Sequence, residues 1–91
     1  MRLKTGLVGS DFDDKDKLVE AVNSVYGVEL VTFRKADYKL WASIRVKARQ
    51  SELESKVKQV KEVVSKLGWK VYKETKRHRD WQRIYIVKES A

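Results

Sequence analysis

Between Tyr38 and Ala48 the side chains alternate cleanly. Tyr38, Leu40, Ala42, Ile44 and Val46 point one way, and Lys39, Trp41, Ser43, Arg45 and Lys47 point the other. A period of two predicts a strand with one face on a core and the other toward water or a partner. The period then changes. Leu53, Val57, Val60, Val64 and Leu67 step by four, three, four and three, which keeps one side of a helix apolar. Ser51 and Glu54 have capping-box spacing at its start. Gly68 stands where a left-handed C-terminal residue is expected. An earlier helix is predicted to begin at SDFDDKD, with Leu18, Val22 and Val25 joined by Ala21 on one face and Gly27 closing it.

The remaining apolar stretches are short and rich in β-branched and aromatic residues. Residues 3–9, 28–35, 69–76 and 81–88 read as strands, with turns at ADYK and RHRD. Helix, glycine, strand, turn, strand occurs twice, pivoting on Gly27 and Gly68, and Asp37–Tyr38 echoes Asp80–Trp81. The predicted order is β-α-β-β-α-β-β. The expected fold class is α+β and ferredoxin-like, an antiparallel sheet with two helices packed on one face. Right-handed crossovers place both helices on the same side and leave the opposite face bare. Ninety-one residues suffice for one such domain, residues 1–91.

Composition narrows the chemistry. The chain has no cysteine, so disulfides and thiolate sites are excluded, and one histidine leaves little for zinc sites or histidine-based triads. No apolar run approaches the ~20 residues that span a bilayer. The first ten residues are too polar for a signal peptide, so a cytoplasmic, intracellular protein is expected. Absent proline, a single asparagine and frequent lysine, glutamate and valine are compatible with a thermophile.

Charge adds a direction. The net charge is +8, but residues 1–37 carry six basic and seven acidic side chains, whereas residues 38–91 carry fifteen and six. Such asymmetry points to a polyanion, most often nucleic acid. On the bare sheet face, Trp41, Tyr72, Trp81 and Tyr85 are expected to interleave with lysines and arginines if Ile84 and Ile86 face the helices and Val71 and Trp69 face inward. The fourth strand would then show Lys70, Tyr72, Glu74 and Lys76. Rings on a sheet stack with unpaired bases, and neighbouring cations hold phosphates. The leading expectation is a small basic nucleic-acid-binding protein of weak sequence specificity, DNA and RNA not being distinguished. Lys39, Arg45, Lys47, Arg49, Lys76, Arg77, Arg79 and Arg83 would supply backbone contacts, and Trp41, Tyr85 and Trp81 would stack or wedge. The same face would also suit a homodimer. The rival expectation is an interaction module, such as a regulator or inhibitor from a mobile element, whose basic face meets an acidic protein.

A third class, a metal-dependent nuclease, would draw on Asp11 and Asp13 in SDFDDKD. The spacing does not fit a calcium loop. Carboxylates in a first helical turn also serve the helix dipole and its free N–H groups, which is the favoured reading. The predicted element order, the aspartate after the first strand and the VYG closing the first helix resemble the small ferredoxin-like subunit of the CRISPR adaptation complex, with Asp11 as the matching aspartate. The long, lysine-rich third strand and the segment missing after the second strand depart from that family. No phosphate-binding glycine loop is present, no cofactor is expected, and His78 reads as a surface residue of a basic loop.

Overall fold

The computed structural model describes residues 9–25, 27–76 and 78–89. Their elements are α1 (Gly9–Asn23), β1 (Val28–Ala36), β2 (Lys39–Lys47), α2 (Gln50–Lys66), β3 (Lys70–Glu74) and β4 (Trp81–Glu89). The strand predicted over 3–9 lies outside the described residues except for Gly9, which opens α1 instead of ending a strand.

The protein is α+β. The four strands among the described residues form one antiparallel sheet in the order β1-β2-β4-β3. Helix α1 packs on β1, α2 packs on the other three strands, and the helices touch each other, so both lie on one side. The strand order departs from the predicted layout. In a split βαβ arrangement, a strand preceding the first helix fills the interior place beside β2. Here β4 fills it, through nine unbroken pairs from Lys39↔Glu89 to Lys47↔Trp81. The sheet is therefore two hairpins joined along β2 and β4.

The predicted helical and strand faces meet in one core. Leu18, Val22 and Val25 come from α1 and the turn after it. Leu53, Val57, Val60 and Val64 come from α2. Leu40, Ala42, Ile44, Val46, Ile84 and Ile86 rise from the two interior strands, and Val28 and Trp69 close the edges. Alternation in β2 and β4 thus sends one set of side chains to the helices and the other to the open face.

Two β-bulges re-aim the outer strands. One lies between Leu30 and Thr32 in β1, the other between Val71 and Lys73 in β3. The second corrects the predicted face of the fourth strand. With one extra residue opposite Tyr85, Lys73 joins Tyr72 on the open side. Glu74 turns to the helix side, where it accepts hydrogen bonds from Lys61 (2.8 Å) and Gln82 (3.0 Å).

Two further expectations change at element ends. Tyr38 was expected to face the core, but it occupies the two-residue β1–β2 turn, is 86% exposed, and has φ 60° beside Asp37 at φ 54°. Alternation begins only at Leu40, because a tight turn breaks the pleat. Ser51 does not cap α2. The N-cap is Arg49, without a side-chain hydrogen bond, since β2 ends at Lys47 and the Ala48 N–H is already tied to the Asp80 carbonyl (2.9 Å). The other end of α2 matches expectation. Gly68, at φ 89°, donates to the Ser65 carbonyl and Trp69 donates to that of Val64, a Schellman closure. Among the described residues no helix is long and apolar enough to cross a membrane.

Candidate nucleic-acid interface

The open face is best followed as rows across the sheet. At the end nearest the β1–β2 turn, Arg34, Trp41, Val87 and Lys70 stand in register. The next row holds Thr32, Ser43 and Tyr85, with Tyr72 and Lys73 at the bulge. Then come Glu29, Arg45 and Arg83, beside Thr75, whose N–H donates to the Arg83 carbonyl (2.9 Å). Lys47 and Trp81 form the last row, at the 75–80 loop. Trp81 therefore shares the face of Trp41.

The aromatic side chains on this face contact one another. Tyr72 meets Trp41 edge-on (5.3 Å between centroids, 88°) and lies tilted against Tyr85 (6.2 Å, 54°). The guanidinium of Arg34 sits over Trp41 at 5.9 Å, and the Lys73 ammonium over Tyr85 at 5.6 Å. The Trp41 indole N–H is also committed, to the Ala36 carbonyl at 2.9 Å. Edge-on packing follows from the ring quadrupole, which also attracts the cations. One consequence is that Ser43, in the centre of the face, is buried and hydrogen-bonded to Thr32 (2.9 Å). Trp81 lies outside this cluster and stacks on His78 at 4.1 Å and 13°.

Ion pairing sorts the cations. Lys35, Lys39, Arg45, Lys61 and Lys88 are matched to Asp11, Glu89, Glu29, Glu74 and Asp14. Of the predicted contact residues, Lys39 and Arg45 are thus already paired, each across a strand–strand boundary. Arg83 is half-buried, and its covered Nε has no hydrogen-bond partner among the described residues. Lys47, Arg49, Lys76 and Arg79 are exposed and make no ion pair among the described residues. Arg77 lies outside the described residues.

These four cations gather at one end of the sheet. The Lys47 N–H donates to the Gly27 carbonyl (3.1 Å) and the His78 N–H to that of Trp81 (3.0 Å), which brings the α1–β1 junction, the end of β2 and the 75–80 loop together. Gly27, Lys47, Ala48, Arg49 and Asp80 line an open cleft of about 590 Å³ there. Arg34 and Lys73 were missing from the sequence-based face, and Lys70 was expected on it but not among its contact residues. A pairing register would have found Arg34, which opposes Trp41, but the bulge that exposes Lys73 leaves no pattern in the sequence.

The acidic segment does something else. Asp11 is wholly buried and bonds Lys35 at 3.1 Å, tying α1 to β1. Asp13 is exposed, and Asp14 reaches Lys88 at 2.9 Å. Asp11 and Asp13 therefore do not share a site, and the aspartate marked by the CRISPR resemblance sits inside a helix. Among the described residues no group of three or more His, Cys, Asp or Glu side chains is arranged to hold a metal ion.

Neither models of known protein families nor curated protein sequences give a match to this chain.

Proposed function

We propose that the protein binds nucleic acid by its phosphate backbone, at the end of the open sheet face formed by Lys47, Arg49 and the 75–80 loop. The observation that carries this reading is the segregation of charge. Arg34, Lys35, Lys39, Arg45, Lys73 and Lys88 on the sheet have carboxylate or ring partners, Lys70 and the half-buried Arg83 being the exceptions, whereas Lys47, Arg49, Lys76 and Arg79 lie together with none among the described residues. Unmatched lysines and arginines gain by displacing counterions from a polyanion. The sheet rings contribute shape more than base reading, because edge contacts and overlying cations occupy them. Sequence specificity is therefore weak. The layout that goes with this reading is a ferredoxin-like two-layer sandwich with an altered strand order.

The test is binding of single-stranded and duplex DNA and RNA at several salt concentrations. On duplex, the log–log slope is expected to be about −0.9 per phosphate neutralised. Replacing Lys76 and Arg79 together by Ala should weaken binding to all sequences alike and flatten the slope by about one unit per lost contact. No retention of any nucleic acid at low salt sinks the proposal.

A second reading, an acidic protein partner, is favoured by Tyr72, an aromatic 49% exposed among basic residues. It predicts a stoichiometric partner that survives nuclease treatment in a pull-down.

A further inference from the structure

Tyr38 is the residue whose conformation the fold itself explains least. It is the second central residue of a two-residue hairpin turn, a position with φ above zero that glycine fills most easily. A bulky side chain there is a backbone outlier. Its ring is 86% exposed and makes no hydrogen bond, ring contact or cation contact among the described residues. Conformational strain is therefore accepted at the hairpin tip for a side chain that makes none of these contacts among the described residues. Asp37 beside it is a residue that tolerates the left-handed region, so the departure from ordinary turn chemistry is confined to the tyrosine.

The tip has a defined place relative to the proposed phosphate site. β2 runs from Lys39, next to Tyr38, to Lys47 in the cationic cluster, roughly 26 Å at strand rise. Arg34, Lys70 and Lys73 stand on the open face between these ends. Trp41 and Tyr85 are committed to ring and cation contacts, and Trp81 has a face covered by His78. Among the described residues of the sheet and its turns, Tyr38 is an aromatic with its ring unoccupied, at the far end of this basic track.

We infer that Tyr38 is a nucleic-acid contact residue, its ring stacking on an unpaired base of a strand that follows the open face from the 75–80 loop to the β1–β2 turn. This rests on the nucleic-acid reading above. It adds a second anchor of different chemistry at the opposite end of the sheet. Stacking needs no hydrogen-bond readout, so this contact also tolerates any sequence.

Tyr38→Gly separates the roles of strain and contact, because it relieves the turn while removing the ring. Unfolding by urea is expected to move to a higher midpoint in this variant. Affinity for a single-stranded oligonucleotide of about 20 nucleotides, longer than the 4–16 nucleotides typical of one small binding fold, is expected to fall. The loss of one stacked base corresponds to a decrease of about five- to 150-fold. Tyr38→Phe keeps the ring and should bind within about twofold of the unaltered protein on the same stacking argument. Unaltered protein that binds while Tyr38→Gly binds equally well overturns this inference and leaves the phosphate site standing. Unaltered protein that binds no nucleic acid overturns both. Loss of self-association in Tyr38→Gly, with nucleic-acid affinity intact, assigns the ring to a second copy of the chain and also overturns it.

Discussion

Two glycines that look equivalent in the sequence differ in what surrounds them. Both have φ above zero, 82° at Gly27 and 89° at Gly68, but only Gly68 closes its helix directly, because α1 already ends at Asn23 and Gly27 lies in the turn that leads into β1. A Cβ at Gly68 would meet only the Lys88 side chain, at an ordinary 3.5 Å, whereas one at Gly27 would collide with the backbone carbonyl oxygen of Lys47. Gly68→Ala should therefore cost only the left-handed penalty of about 1–2 kcal/mol. Gly27→Ala should cost clearly more, since a strand end must move, and urea unfolding of the two variants measures the difference. The closure of α2 at Gly68 was legible because it is local, whereas α1 stops before its expected glycine. The collision was not, because Lys47 is twenty residues away. The same distinction applies to Asp11. Its place in a first helical turn is readable, but its partner Lys35 lies across the core boundary. Removing one member of such a buried pair leaves the other uncompensated, so Asp11→Ala should destabilise by about 3 kcal/mol in the same assay.

Legibility at the scale of elements depends on how long a period survives. α2 holds its apolar face through Leu53, Val57, Val60 and Val64, and β2 holds its alternation from Leu40 to Val46. Those elements could be read directly. β3 could not, because it has five residues and a bulge, and one extra residue reverses which side Glu74 faces. Its position was equally hidden, since strand order is set by the β2–β4 register rather than by any feature of β3. Among the described residues it is an edge strand, and lysines such as Lys70 and Lys73 on an edge disfavour pairing with other chains. Amide hydrogen exchange should follow this arrangement. Amides of β2 and β4 are expected to exchange slowest and those of β3 fastest among the strands. Equal protection across the sheet would contradict the order β1-β2-β4-β3.

For the molecule as a whole, the two helix–hairpin units share an architecture but not a charge. The basic excess lies in residues 38–91, and this was plain from composition. Composition could not say which cations are spent on carboxylates. That follows from cross-strand neighbours such as Glu29 with Arg45, and it reduces the predicted contact set to its unpaired members. The rings were likewise visible as an alternating set. Their packing on one another, edge-on for Trp41 and tilted for Tyr85, depends on Tyr72 lying within reach of both, which only the assembled sheet provides. The candidate site was thus legible as a face, but not as a particular end of it.

The seam between the hairpins has a kinetic consequence. Ser43, the middle residue of β2, pairs with Tyr85, the middle residue of β4, so the two units meet about a local two-fold axis. Each hairpin closes through a short loop, but the seam joins segments separated by a helix and a third strand. Loop-closure entropy therefore favours early formation of the hairpins and places their union at the folding barrier. Until the seam closes, Ala42, Ile44, Ile84 and Ile86 belong to two unfinished half-cores, and the nascent chain is most vulnerable to exchanging one hairpin with another copy of itself.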